Sequence, residues 1–408
     1  MPKPLFVAGS DNHIEYCAYV AYPAMWGDSH FAFTQEVDKA IELGVPLVAA
    51  GDVFDKPYPD PYSIRSTFLD IDRLKEAGCP FLFTQGQHEL NRKAPWLSLH
   101  PHPTHINNRL GALSNSGLRI VGLDWQPPDL LANALQNQCF KHADILICHQ
   151  VWSQFMGPQT APEGSIPEVV PDNVRLVVTG DFHGHKLMDI EYPSGKPLRI
   201  LSPGSATLQA IGEDPNKYFF VVYDDYSVRS VALRGRKVCY SRAFDGNTLE
   251  NEIGRVVAEL DASEKSGVQQ LLPANLRTPM WVAQYHWEVP DAAKRLKAAA
   301  AGRAHLFLRP FGKEQEQKTE TVVSQRVRGL NEALATLVDR NMPEYNTASR
   351  LLSAQCVRDE LVQIVEECLN EPAKQVQELA AVGPALVEPE HDQLLTEVTN
   401  ADPEATSD

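Results

Sequence analysis

Cysteine is scarce in this chain and scattered. The 408 residues hold seven, at positions 17, 79, 139, 148, 239, 356 and 368, and no two form a C-x-x-C pair. An odd, dispersed set reads as reduced thiols, which excludes a disulfide framework, and the missing thiolate pairs argue against a structural zinc site. Long apolar runs are also lacking. None approaches the roughly 20 residues needed to cross a bilayer, so no membrane partner is expected. The N-terminus, Met1-Pro2-Lys3-Pro4-Leu5-Phe6-Val7, enters a strand at once and has no secretory signal pattern, so a cytoplasmic location is expected. Positive charge is short too. Lysine and arginine total 37 against 53 acidic residues, a net charge of −16. A protein that grips nucleic acid by itself is usually basic, so this balance points to help from a partner or from a homodimer. Part of the excess lies in the tail, where acids from Glu371 to Asp408 face the single Lys374. More comes from clustered carboxylates whose charge a metal would offset.

What is present suits a large globular protein. Hydrophobic residues make up 43% and charged residues 22%, enough for one large domain and one or two small ones. The chain reads as strand Leu5–Ala8, a helix from an N-cap at Ser29 to Leu43, strand 45–50, a helix over 62–77 stopped by Gly78, and strand 79–84. Further strands are read at 118–123, 143–148, 175–179, 198–201, 218–223 and 228–233, with a helix at 129–138. Such alternation predicts a layered α/β domain over 1–235. Residues 236–315 repeat the rhythm on a smaller scale, with amphipathic 250–260 and an alanine-rich helix from Ala292 to Ala301. A linker at 313–318, two helices within 319–370 and an acidic disordered tail over 371–408 complete the expectation.

Five places stand out, each at an apparent strand end. They are Asp11-Asn12-His13, Gly51-Asp52-Val53-Phe54-Asp55, Gly86-Gln87-His88-Glu89, Cys148-His149 and Gly180-Asp181-Phe182-His183-Gly184-His185. Alone, each is ordinary: Asp-x-His arises often by chance, and Gly-Asp is a common turn. Together they are hard to explain as packing, because loop punctuation favours serine, asparagine and glycine over repeated histidine. In α/β folds ligands gather outside the carboxyl ends of strands. Carboxylate, imidazole and amide oxygen suit intermediate divalent ions such as manganese, iron or zinc.

In order and spacing the five clusters resemble the motifs of calcineurin-like metallophosphoesterases, whose usual forms are D-x-H, G-D, G-N-H-D/E, H and G-H-x-H. The motifs span residues 11 to 185, under half the chain. The resemblance implies a layered β-sandwich core flanked by helices, with two divalent ions, manganese first and magnesium, iron(II) or zinc as alternatives. Asp11, His13, Asp52 and His183 would hold one ion. Gln87, His149 and Asp181 would complete the second, with Asp52 bridging. His88 would contact the scissile phosphate and assist the leaving oxygen. Two positions depart from the pattern: Gln87 stands for the usual asparagine, and Asp181 for the usual first histidine. A second register, His183 with His185, stays open; Gly180 directly after the strand favours Asp181 with His183, leaving His185 beside the site.

Beyond the core, the layout is similar to SbcD-type DNA-repair nuclease subunits and to phage-encoded relatives of that branch. It implies a small α/β capping domain at 236–315, a C-terminal helical segment that docks an SbcC-type coiled-coil ATPase, and DNA as substrate. A phosphatase or phosphodiesterase acting on a small molecule or protein, and a non-catalytic scaffold, are the alternatives. His100, His102 and His105 are read as solvated loop residues, Trp96, Trp125 and Trp152 as packing, and Arg65, Arg73, Lys75 and Arg92 as surface charge.

Overall fold

A computed structural model describes residues 2–14, 26–90, 95–156, 165–210 and 212–312. The expected linker, C-terminal helices and acidic tail lie outside the described residues. In chain order the first elements are β1 (Pro4–Gly9), α1 (Asp28–Leu43), β2 (Leu47–Ala50), α2 (Pro61–Glu76), β3 (Phe81–Thr84), β4 (Thr104–His105) and β5 (Leu110–Ala112). There follow β6 (Arg119–Leu123), α3 (Pro128–Ala134), β7 (Ile145–His149), the one-turn helices α4 (Ser153–Met156) and α5 (Ile166–Val169), and β8 (Leu176–Gly180). The strands β9 (Lys186–Glu191), β10 (Pro197–Ser202), β11 (Tyr218–Tyr223) and β12 (Val228–Ala232) close this part.

These strands form two six-stranded sheets, ordered β12-β11-β1-β2-β3-β4 and β5-β6-β7-β8-β10-β9. The sheets face each other across an apolar interior. Phe6, Ala8, Val48 and Ala50 of the first meet Ile145, Ile147, Val178 and Leu201 of the second. Outside the first sheet, Phe33 and Val37 of α1 and Ile71 and Leu74 of α2 cover Val7, Leu47 and Phe81. Outside the second, Leu131 of α3 and Phe140 cover Val121, Leu146 and Val177. The expected helix-flanked β-sandwich is therefore what folds. β2 is buried on both faces, which explains why its Leu-Val-Ala-Ala run does not alternate.

Some boundaries differ from expectation. Helix α1 is capped by Gly27, whose φ of 98° makes it the left-handed entry point, and Ser29 sits inside the first turn. By contrast, Asp60 caps α2 by accepting from the amides of Tyr62 and Ser63, with Pro61 at the first helical position. The helix expected over 129–138 ends at Leu135, and Asn137 caps a separate 3₁₀ turn over Gln138–His142. Strand β9 was not foreseen. It is an edge strand, paired only with β10 among the described residues, and its Leu187, Asp189 and Glu191 are exposed.

Past Arg236, β13 (Val238–Ala243), α6 (Gly246–Ser266), β14 (Met280–His286), α7 (Ala292–Ala300) and β15 (His305–Phe311) build a three-stranded parallel sheet. Both helices cover one face, where Val256, Leu260 and Leu296 pack on Trp281 and Ala283. On the other face Met280, Val282 and Phe307 pack on Leu208, which follows β10. Arg236, at the junction, pairs with Asp28 of α1 at 3.2 Å.

Candidate metal centre

Three neighbouring parallel strands of the first sheet, β1, β2 and β3, end just before Asp11, Asp52 and Gln87-His88. In the second sheet, the parallel neighbours β7 and β8 end at His149 and just before Asp181. The sandwich brings these two sets of strand ends together. His149 Nδ1 donates to the Ala50 carbonyl at 2.6 Å, and the Asp181 amide donates to the Asp11 carboxylate at 3.1 Å. Five clusters spread over 175 positions of sequence thus meet at one end of the fold, as expected from their strand-end placement.

The three candidate histidine ligands are oriented alike. His13 Nδ1 faces Asp55 Oδ1 at 3.1 Å, His149 Nδ1 faces the Ala50 carbonyl, and His183 Nδ1 faces Glu213 Oε1 at 3.3 Å. Each partner is an oxygen acceptor, so each ring keeps a proton on Nδ1 and turns Nε2 toward the Asp11 carboxylate. All three Nε2 atoms lie within 3.8–3.9 Å of Asp11 Oδ1. His149 Nε2 is also 3.1 Å from Asp52 Oδ2. The potential ligand atoms form three overlapping trios: Asp11, His13 and His183; Asp11, Asp52 and His149; and His13, Asp52 and His88.

Two buried atoms here, His13 Nε2 and Gln87 Oε1, have no hydrogen-bond partner, and Asp52 Oδ2 and His149 Nε2 have only each other, at 3.1 Å. A buried polar atom left unpaired costs about 1–3 kcal/mol, so such atoms beside a carboxylate cluster need a reason. A divalent cation is the group that would satisfy them all. Gln87 is informative. Its amide nitrogen donates to Asp181 Oδ1 at 2.7 Å, which turns its oxygen to the unpaired side. The extra methylene relative to asparagine thus still leaves a buried amide oxygen without a protein partner.

The backbone is strained where the ligands sit. Asp11, His13, Asp52 and Asp181 all have positive φ, between 44° and 70°, among only seven non-glycine residues described with that geometry. The glycines of three motifs have a specific reason to be glycine. A Cβ on Gly51, Gly86 or Gly180 would lie 2.3, 2.7 or 2.4 Å from the His149 ring, and on Gly86 also 2.1 Å from Asp52 Oδ1. The G-D and G-Q-H spacings thus record space taken by the His149 and Asp52 side chains.

Charge follows the same geometry. Burial works to raise the Asp52 carboxyl, but His149, His13 and His88 outweigh it and hold it low. Burial opposes a proton on His149, while Asp52, Asp11 and Asp181 raise its affinity well above an ordinary imidazole. The cluster draws in positive charge. Two nearby carboxyls differ: burial pushes Glu36, which accepts from Asn12, and Glu89, which accepts from the Phe54 amide, up to about 8.

His88 and His185 separate from the other histidines. The His88 amide donates to Asp52 Oδ1 at 3.1 Å, and its ring Nδ1 donates to the Asp55 carbonyl at 3.3 Å. Its side chain is 45% exposed against 2% for His13, so it stands at the mouth of the cluster. His185 is turned away. Its two ring nitrogens meet the Pro203 carbonyl and Ser230 Oγ, and the ring stacks on Tyr218 and Phe220. That arrangement favours the Asp181 and His183 register.

Other expectations change. His100, His102 and His105 are not solvated loop residues. They bond to Asp72, to the Cys79 carbonyl and to Asp124, and so tie the segment after β3 to the sandwich. Trp152 is fully buried and donates to Thr179, a packing role as read. Sequence reasoning missed Glu213, whose carboxylate lies 3.3 Å from His183 Nδ1 and which comes from a stretch beyond the last motif where no histidine or spacing pattern draws notice. It quoted Asp55 without seeing that this residue orients His13.

No family model matches the chain. Curated relatives do, among them three DNA double-strand break repair proteins Mre11. The protein of Methanosarcina mazei is 26% identical over 228 residues, covering 52% of this chain and 35% of the relative. That of Methanosarcina acetivorans is 26% identical over 195 residues, covering 44% and 31%. That of Haloferax volcanii is 32% identical over 180 residues, covering 42% and 40%. The chain thus spans about a third to two fifths of the length of the curated relatives it matches. These similarities bear out the resemblance, read from the motifs, to SbcD-type members of the metallophosphoesterase superfamily.

Proposed function

We propose that this chain, similar over about half its length to SbcD-type metallophosphoesterases, is a metal-dependent nuclease that hydrolyses DNA phosphodiesters in double-strand break repair. The observation that carries the reading is the clustering of carboxylate and imidazole atoms of Asp11, His13, Asp52, His149 and His183 in overlapping trios whose ligand atoms lie within 4.8 Å of one another. Asp11, His13, Asp52 and His183 would hold one ion; Asp52, Gln87, His149 and Asp181 would hold the other. When bound, two divalent ions, manganese first, supply Lewis acidity toward phosphate oxygens and lower the pKa of water.

The chain's own residues set the rest. Asp55, the Ala50 carbonyl and Glu213 fix the ligand histidines, so the cluster is organised before any ion arrives. The His88 amide ties down Asp52 Oδ1, so Oδ2 is the oxygen that would be left for metal. His88 Nδ1 is engaged with the Asp55 carbonyl, so Nε2 remains for substrate; it contacts the scissile phosphate and assists departure of the sugar oxygen. Residues 1–235 form the hydrolase domain and 236–315 the cap. An SbcC-type coiled-coil ATPase is the partner proposed for residues 319–370, and it supplies the DNA grip that a net charge of −16 disfavours.

The test is hydrolysis of linear duplex DNA compared with small phosphoesters, with manganese added, alongside the metal content of purified protein. DNA cleavage with negligible phosphomonoester turnover supports the proposal. Preference for a small phosphoester would make the chain a phosphatase, and failure to take up manganese would make it a scaffold.

A further inference from the structure

We propose that Glu213 is the positioning residue for His183, holding that ring with Nε2 toward Asp11, and that Lys217 and Ser205 in turn hold Glu213. The inference rests on the metal-centre reading and adds to it a residue outside every motif.

His183 needs an anchor that the other two histidines do not. The side chains of His13 and His149 are 2% and 0% exposed, so packing confines them, whereas that of His183 is 34% exposed. Its backbone is held from below by the turn after β10: the Ser205 amide donates to the His183 carbonyl at 3.1 Å, and Ser202 Oγ donates to the Phe182 and Gly184 carbonyls. Gly204, at φ +78°, lies so close that a Cβ there would sit 2.8 Å from the His183 carbonyl oxygen. None of these contacts restrains the ring. Glu213 Oε1, 3.3 Å from Nδ1, does.

Glu213 is itself well secured. Its Oε2 accepts from Lys217 Nζ at 2.9 Å, from the Gln209 amide at 3.0 Å and from Ser205 Oγ at 3.4 Å. Lys217, nearly buried, also donates to Ser205 Oγ at 2.8 Å. From the small sheet, Tyr240 Oη donates to the Glu213 carbonyl at 3.3 Å. Because Oε1 meets Nδ1 and not Nε2, Glu213 is an orienting partner rather than a ligand. The bland alternative is a salt bridge that only staples the 205–217 loop.

Nitrogen-15 NMR of the metal-free full chain and manganese titration separate the two. At a pH high enough to leave the ring neutral, the wild-type His183 proton is expected on Nδ1; finding it on Nε2 would overturn the inference with no variant needed. Glu213→Ala should lose that tautomer preference and weaken manganese binding at one of two sites by about 10–100-fold. Glu213→Gln has a single acceptor oxygen, for which Lys217 Nζ and the Gln209 amide compete with Nδ1–H, so it should fall between wild type and Glu213→Ala. An unchanged tautomer and unchanged manganese binding in Glu213→Ala would refute the role. Should the wild type take up no manganese, the metal-centre reading fails, while the tautomer comparison still decides the part played by Glu213.

Discussion

Glu36 offers a test of how the site is supported. Its carboxyl is 1% exposed, it accepts from Asn12 Nδ2 at 3.1 Å, and burial pushes it from 4.5 up to about 8. Folding therefore takes up a proton at any pH between those values. A carboxyl whose folded pKa is raised stabilises the fold most below its unfolded pKa, near 4.5, and that stability declines as pH rises toward 8. The slope for one such group is about 1.4 kcal/mol per pH unit. Glu36→Gln places an uncharged amide of the same shape there and removes the titration. In urea unfolding with chelator present, the stability of Glu36→Gln relative to wild type should rise by roughly 2–3 kcal/mol between pH 5 and pH 7. Other groups, Glu89 among them, titrate in both proteins and cancel in the difference. Parallel pH profiles for the two proteins would refute the reasoning, because they would mean that Glu36 is ionised in the fold.

Three further outcomes are expected. His88→Ala should lower DNA cleavage by about 10²–10⁴-fold while manganese uptake is unchanged; a loss of bound manganese would instead make His88 a ligand. Gly180→Ala puts a Cβ 2.3 Å from the Ala50 carbonyl and 2.4 Å from His149 Nδ1, so it should destabilise by about 1–3 kcal/mol, whereas Gly235→Ala, with nothing within 4 Å, should be near neutral in the same melt. Chelation should lower the melting temperature, and manganese at about 100 times its Kd should restore about 2.7 kcal/mol per site.

The site was legible in the sequence because its chemistry is punctuated. Strand ends fall at Gly9, Ala50, Thr84, His149 and Gly180, and the residues just after them are acids, amides and histidines that turns do not require. The register at 180–185 was less legible. Asp181, His183 and His185 have the same spacing, and only the stacking of His185 on Tyr218 and Phe220 separates them. Glu213 was not legible, because one carboxylate in a loop has no periodicity, and its meeting with His183 depends on the return of the chain through β10. The edge strand β9 escaped for a related reason: its pairing partner, β10, comes later, and its own residues follow the motif without a break. The smaller sheet was readable because its helices repeat the core's alternation, and Trp281 with Ala283 marks the face they cover.

Backbone conformation gives the choice of acid at Asp52 a second meaning beyond charge. Asp11, Asp52 and Asp181 occupy the left-handed region, which aspartate and asparagine tolerate better than other side chains that carry a Cβ. The strain is held by cross-strand bonds, from the Asp11 amide to the Gly51 carbonyl at 3.1 Å and from the His13 amide to the Asp52 carbonyl at 2.9 Å. Alanine at position 52 would therefore remove a ligand and also burden the backbone, which confounds any reading of lost activity. Asparagine removes the charge and keeps the conformation. If Asp52 serves both ions, as proposed, Asp52→Asn should lose uptake of both together, yet remain about 1 kcal/mol more stable in chelator than Asp52→Ala. If Asp52→Asn kept one ion at wild-type affinity, Asp52 would not bridge, and the two sites would have to be built from separate ligands.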